Sequence, residues 1–159
     1  MKNVNNITFT NIPECFNIKV IEGIEVSHKF DEHFHSSYNI GILRNGEAVF
    51  KIDKIEERIN EETIYLINPK IIHSMVSVEN RTISYTVINL EEKELNKIFK
   101  NENLIFRDIF IKDTVKSDKV IKCIERILNK NTFSIEKQEA LIEILENAVG
   151  YIKANYKKK

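Results

Sequence analysis

From Ile7 to Leu90 apolar residues recur at every second position in short runs rich in Ile, Val, Thr, Tyr and Phe, with turn-forming residues between the runs. A period of two is the mark of strands that bury one face. The pattern predicts strands over residues 16–22 (FNIKVIE), 24–30 (IEVSHKF), 38–44 (YNIGILR), 47–52 (EAVFKI), 54–59 (KIEERI), 63–68 (TIYLIN), 73–79 (HSMVSVE) and 82–90 (TISYTVINL). Asn45-Gly46 is the dipeptide that best tolerates the positive φ angles of a type I′ hairpin turn, and Glu79-Asn80-Arg81 supplies another turn. Many short strands with no helix between them predict an antiparallel sandwich or barrel, not a βαβ fold.

After Leu90 the period lengthens. Asn89 is placed to cap a short helix over residues 91–100, with Leu95, Ile98 and Phe99 on one face. Residues 103–111 (NLIFRDIFI) read as strand or extended connection. Ser117 is a candidate N-cap for a helix with Val120, Ile124, Ile127 and Leu128 in one stripe, and Ser134 for one running to Tyr156. In that last helix Leu141, Leu145, Ala148 and Ile152 recur at three- and four-residue steps, while Ile142, Ile144 and Val149 lie off the stripe. One seam does not cover so much apolar surface, which leaves further packing onto the β domain or a homodimer; the homodimer is the preferred reading, with Leu141, Leu145, Ala148 and Ile152 assigned to its interface. The fold class expected is mainly β with C-terminal helices: a β domain over residues 1–112 and a helical hairpin over 113–159.

A chain of 159 residues accommodates one domain with one core. With 24 basic and 24 acidic residues the overall charge points to neither nucleic acid nor an anionic membrane. Residues 1–113 carry a net −4 and residues 114–159 a net +4, so an acidic body precedes a basic tail. Cys15 and Cys123 form no CxxC pair and read as reduced thiols. No apolar run reaches bilayer-spanning length and the N-terminus lacks the apolar core of a signal peptide, so a cytoplasmic location is expected.

Three of the four histidines fall in two pieces, "HFHSSYNIGILRNG" at 33–46 and "NPKIIH" at 68–73. His33 and His35, two residues apart on a strand, share a face, and a closed barrel brings His73 beside them. Three imidazoles suit Zn, Fe or Mn with a position left open. Against a metal, Ser36, Ser37, Tyr38 and Asn39 offer no carboxylate and Ile71 and Ile72 suggest a pocket mouth. The preferred reading is the polar lining of a ligand cavity with no cofactor, a divalent metal on His33, His35 and His73 being the alternative. His28 reads as an ordinary strand residue and Asp31-Glu32 as solvated surface. Signatures of the common nucleophile, phosphate-loop and zinc-protease types are absent from the sequence.

The stretches "HFHSSYNIGILRNGEAVF" and "ETIYLINPKIIHSM" resemble the cupin sensor domain of AraC-type transcription regulators, over about residues 25–90. Two departures are visible: Glu62 stands where a turn glycine is usual, and the glutamate that follows the second histidine in metal cupins is missing. The segment "ILENAVGYIKANYKKK" resembles the opening of the AraC-type DNA-binding domain, with Tyr151, Ile152, Asn155 and Tyr156 in the places of its YI-x-x-NY core. The resemblance implies a cupin-like double-stranded β-helix, or jelly roll, and a sensing and dimerisation domain of a longer regulator. The helix-turn-helix domain that meets DNA would follow the residues present here. It further implies no enzymatic activity, a small-molecule effector held by His33, His35, Tyr38 and His73, and an N-terminal arm over residues 1–14 that latches the pocket or frays. The alternative is a free-standing metal-dependent cupin enzyme, an isomerase or dioxygenase.

Overall fold

The computed structural model describes residues 6–27, 30–100, 104–148 and 153–154. Nine strands come first: β1 (Ile7–Ile12), β2 (Ile18–Val26), β3 (Phe30–His33), β4 (Ser37–Asn45), β5 (Ala48–Ile52), β6 (Ile55–Ile59), β7 (Ile64–Ile67), β8 (His73–Ser77) and β9 (Ile83–Glu91). Helix α1 (Glu92–Phe99), the short strands β10 (Leu104–Ile105) and β11 (Phe110–Ile111), helices α2 (Thr114–Leu128) and α3 (Ser134–Ala148), and strand β12 (Lys153–Ala154) complete the order. Pairing is antiparallel throughout: a six-stranded sheet β1-β2-β9-β4-β7-β11, a four-stranded sheet β3-β8-β5-β6, and the pair β10-β12.

The central strands of the six-stranded sheet are buried on both faces, and alternation along them divides the side chains between two cores rather than the single one expected. Ile40 and Ile42 of β4, Ile64 and Leu66 of β7 and Ile88 of β9 face the helices, meeting Val120, Ile124 and Ile127 of α2 and Leu141, Ile144 and Leu145 of α3. Their neighbours Leu43, Tyr65, Ile67 and Tyr85 face the four-stranded sheet and pack with Phe50, Ile52 and Met75. The run "IYLI" in β7 is consequently buried at all four positions.

The dipeptide Asn45-Gly46 is no hairpin turn. It carries the chain from β4 in one sheet to β5 in the other, and only Gly46 has a positive φ, of 90°, whereas a type I′ turn needs both. A Cβ at Gly46 would lie 2.7 Å from the Thr82 carbonyl oxygen, so glycine is required at this corner. The turn containing Glu79 likewise crosses between sheets, from β8 to β9. The two-residue hairpin is instead Asp53-Lys54, between the paired Ile52 and Ile55. The expected strands 16–22 and 24–30 fuse through Gly23 into β2 as far as Val26, Phe30 opening β3, and β1 adds an edge strand within the arm expected to latch the pocket or fray.

Helix starts shift as well. Asn89 stays in β9, and Glu91 occupies the N-cap of α1 without a side-chain bond. Asp113, not Ser117, caps α2, accepting from the backbone N–H of Val115 at 2.9 Å and of Lys116 at 3.2 Å. Ser117 donates to the Ile111 carbonyl at 3.2 Å. The seam assigned to a dimer turns inward: Leu141, Leu145 and Ala148 are buried in the protomer's own helix–sheet core. Ile152, with Tyr151, Asn155 and Tyr156, lies outside the described residues, and Lys153–Ala154 are extended, paired with Leu104–Ile105.

Candidate functional site

The three histidines meet where the four-stranded sheet begins. His33, the last residue of β3, is the cross-strand partner of His73, the first of β8, which also pairs with Ile52 of β5. His35 follows in the link to β4, and its carbonyl accepts the N–H of Lys70 at 2.6 Å, tying that link to the turn before His73. The rings cluster with centroids 4.3 Å apart for His33 and His73, 4.8 Å for His33 and His35 and 5.2 Å for His35 and His73. Nitrogens from all three lie within 4.8 Å of one another.

His73 Nδ1 sits 2.9 Å from the Ile71 carbonyl oxygen. A carbonyl only accepts, so Nδ1 carries the proton and Nε2 presents its lone pair. Burial pushes His73 down to about 4, the bond to Ile71 opposing this and the neighbouring His33 and His35 adding to it. His35 is lowered too, by burial first and His33 second. Both rings are neutral at pH 7, the form that ligates metals and accepts hydrogen bonds.

Beside the cluster lies a cavity of about 190 Å³. Its walls are apolar, among them Ile21, Phe50, Ile67, Met75 and Val87, and Ile7 and the exposed Phe9 of β1 reach its rim. Polar atoms come from Asn39, Tyr65, Tyr85 and Asn89 besides the histidines. No described residue of the lining is an acid, a lysine or an arginine.

Two glycine–tyrosine pairs shape the floor. Gly41 of β4 lies opposite Tyr65 of β7, and Gly23 of β2 opposite Tyr85 of β9. A Cβ at Gly41 would fall 2.1 Å from Tyr65 Cζ, and one at Gly23 2.4 Å from the Tyr85 ring, so each glycine admits a phenol laid across its strand. Burial raises both phenols, Tyr85 to about 12, so they remain hydroxyl donors at neutral pH. Asn39 and Asn89 are cross-strand neighbours on β4 and β9. Asn39 Oδ1 accepts from the Ser37 hydroxyl at 3.3 Å, whereas Asn89 Oδ1 is buried without a hydrogen-bond partner among the described residues.

Neutral imidazoles, one with its second nitrogen fixed by a carbonyl, are a donor set that suits Zn or another first-row divalent ion. Coordination at about 2.0–2.1 Å asks the three nitrogens to close inward slightly. The residues therefore fit a metal, which would act there as a Lewis acid with an open position for a small ligand.

Residues 16–145 match the family model for the AraC-like ligand binding domain. The chain belongs to the AraC-like ligand binding domain family. An uncharacterised HTH-type transcriptional regulator of Bacillus subtilis, YbfI, is 23% identical over 130 residues, which cover 79% of this chain and 47% of that protein. The chain thus spans about half the length of this relative. Among solved structures, oxalate decarboxylase from Bacillus subtilis aligns with a TM-score of 0.48 at 13% identity over 54% of this chain and 24% of that one. A cupin with a double-stranded β-helix fold from Methanocaldococcus jannaschii gives 0.46 at 13% identity over 60% and 91%. At these identities the likeness concerns the fold alone.

Within this AraC-like domain, His33, His35 and His73 come together at the cavity as expected from sequence, but Tyr38 does not join them. Tyr38 shares a face of β4 with Ile40 and Ile42, packs edge-on against Phe106 at 5.4 Å and donates its hydroxyl to the Leu104 carbonyl. The cavity takes Asn39 instead. Tyr65, Tyr85 and Asn89 do not stand out in the sequence, because an apolar alternation marks which residues share a face without saying which of two cores that face meets. The glycine opposite each tyrosine was the available signal. Arg44 and Arg81 pair with Glu125 and Glu79 and are not among the described residues of the lining. Cys15 and Cys123 are buried, donate to the Lys137 carbonyl and to Glu143, and are each pushed up to about 12, chiefly by burial. His28 lies outside the described residues.

Proposed function

We propose that this chain is the small-molecule sensor of an AraC-type transcription regulator, controlling DNA binding by an attached helix-turn-helix domain without catalysing a reaction itself. The observation that carries the reading is the six-stranded sheet, whose strands place alternate residues against the cavity and against the helices. On β9, Tyr85, Val87 and Asn89 line the cavity while Thr86 and Ile88 face the other way. Thr86 accepts a hydrogen bond from Arg44 Nε at 3.1 Å, and the Arg44 guanidinium pairs with Glu125 on α2. A ligand that spreads or tilts the cavity face therefore has a one-residue path to the helical pair, and through it to whatever follows α3. Such coupling requires a ligand with different affinity for two arrangements of sheet and helices.

Self-association, in this reading, falls to surface the protomer leaves outside: Phe133 and Ile135, at the start of α3, are exposed while the former seam is consumed. The three-histidine cluster favours a second reading, a metal-dependent cupin enzyme, which would turn its ligand over rather than merely hold it. A thermal-shift screen of small metabolites decides whether the cavity is a ligand site. At least one compound should raise the melting temperature of the wild type and leave Met75→Trp, which fills the cavity, unmoved. A response that survives that substitution overturns the proposal, and consumption of the compound favours the enzyme.

A further inference from the structure

We propose that the cavity is a metal-dependent anion site: His33, His35 and His73 hold one divalent first-row ion, and a small carboxylate completes its coordination. The inference deepens the sensor reading and rests on it, since it names the chemical class of the effector. The first observation is geometric: nitrogens from three imidazoles within 4.8 Å of one another, with His73 Nε2 presenting a lone pair because Nδ1 is committed to the Ile71 carbonyl. The second is charge. An imidazole binds a metal as an uncharged ligand, Asn39 is an amide, and the described lining holds no carboxylate. An ion bound here keeps its two positive charges beside Phe50, Ile67 and Met75. An uncompensated charge among apolar walls is costly, and no described residue of the lining offsets it, so the compensating charge is assigned to the ligand.

Size and polarity narrow the class. About 190 Å³ is below the range of drug-sized pockets and holds roughly six water volumes, which suits a short or single-ring acid. The phenols of Tyr65 and Tyr85, held protonated, are donors toward an anion. Asn89 Oδ1, buried and without a partner among the described residues, is an acceptor and assigns the ligand a hydroxyl or amine donor besides its carboxylate.

The test titrates chelator-stripped protein with Co²⁺, whose visible absorption reports its ligands, with and without azide, an anion small enough to enter whatever the pocket's exact shape. The wild type should bind one Co²⁺ per chain, and azide should change the spectrum and tighten Co²⁺ about tenfold. His35→Ala, at a half-buried position that leaves the core intact, should lose the ion. Asn39→Asp, which places a carboxylate in the cavity, should keep the ion and lose most of the azide effect. Folded wild type that takes up no Co²⁺ overturns the proposal, as does Co²⁺ whose affinity and spectrum ignore azide. In either case a cavity that still binds a metabolite in the thermal-shift screen leaves the sensor reading standing. A screen without hits defeats that reading separately.

Discussion

At Glu62 and Gly41 the backbone and a single side chain decide matters that no larger element reaches. Glu62 adopts φ 65°, the left-handed region that favours glycine, at the position where a turn glycine is usual in the family it resembles. An L-residue there is strained by roughly 1–2 kcal/mol, part of which glycine returns through its freer unfolded state. Glu62→Gly is expected to stabilise by about 0.5–1 kcal/mol, read as a rise of about 2–4 °C in melting temperature. Gly41→Ala works in the opposite direction. Its Cβ would collide with the ring of Tyr65, which is 3% exposed and has nowhere to move, so a loss of about 1–3 kcal/mol in urea unfolding is expected. The strand content and the membership of the histidine cluster were legible at this scale, but His35 lies in the link after β3, so its ring joins His33 through that link and not through a strand's period of two. Gly23 and Gly41 were visible as strand glycines, but that each seats a tyrosine ring was not, since it depends on the register of a neighbouring strand.

For the helices, the distinction between a seam within one protomer and a seam between two has a sharp consequence. The apolar stripe of α3 was correctly visible in sequence as a stripe, but its partner was not, because an amphipathic pattern says that a face is buried and is silent on what buries it. The partner is the six-stranded sheet with α2, and Leu145 is fully buried there. Leu145→Asp therefore places an unpaired charge in a closed core, at a cost of about 4 kcal/mol or more, close to the whole stability of a small domain. Circular dichroism should show an unfolded chain, whereas a folded monomer in sedimentation would restore the dimer seam. Phe133→Asp, at an exposed position, should keep the fold and weaken self-association. Arg44 and Glu125 join sheet to helix near the surface, so Arg44→Ala should cost less than about 1 kcal/mol in stability.

Across the whole molecule, one sheet separates a chamber from a helical layer, and among the described residues no helix is long and apolar enough to cross a membrane. The chamber's protonation state ties stability to pH. His73 in the folded protein lies near 4, below the 6.5 of an exposed imidazole, so between these values the unfolded chain binds more protons. Metal-free protein is therefore expected to be at full stability above pH 6.5 and to weaken as pH falls toward 4, with His35 acting in the same direction. Urea midpoints against pH check this, and His73→Phe should flatten the slope. If the chamber is coupled to the helices, hydrogen–deuterium exchange reads that coupling, comparing the protein with and without the compound that most raises its melting temperature. Protection should change across α2 and α3, on the far side of the sheet, as well as in β4 and β9. Changes confined to the cavity-lining strands, with α2 and α3 unaltered, would contradict it.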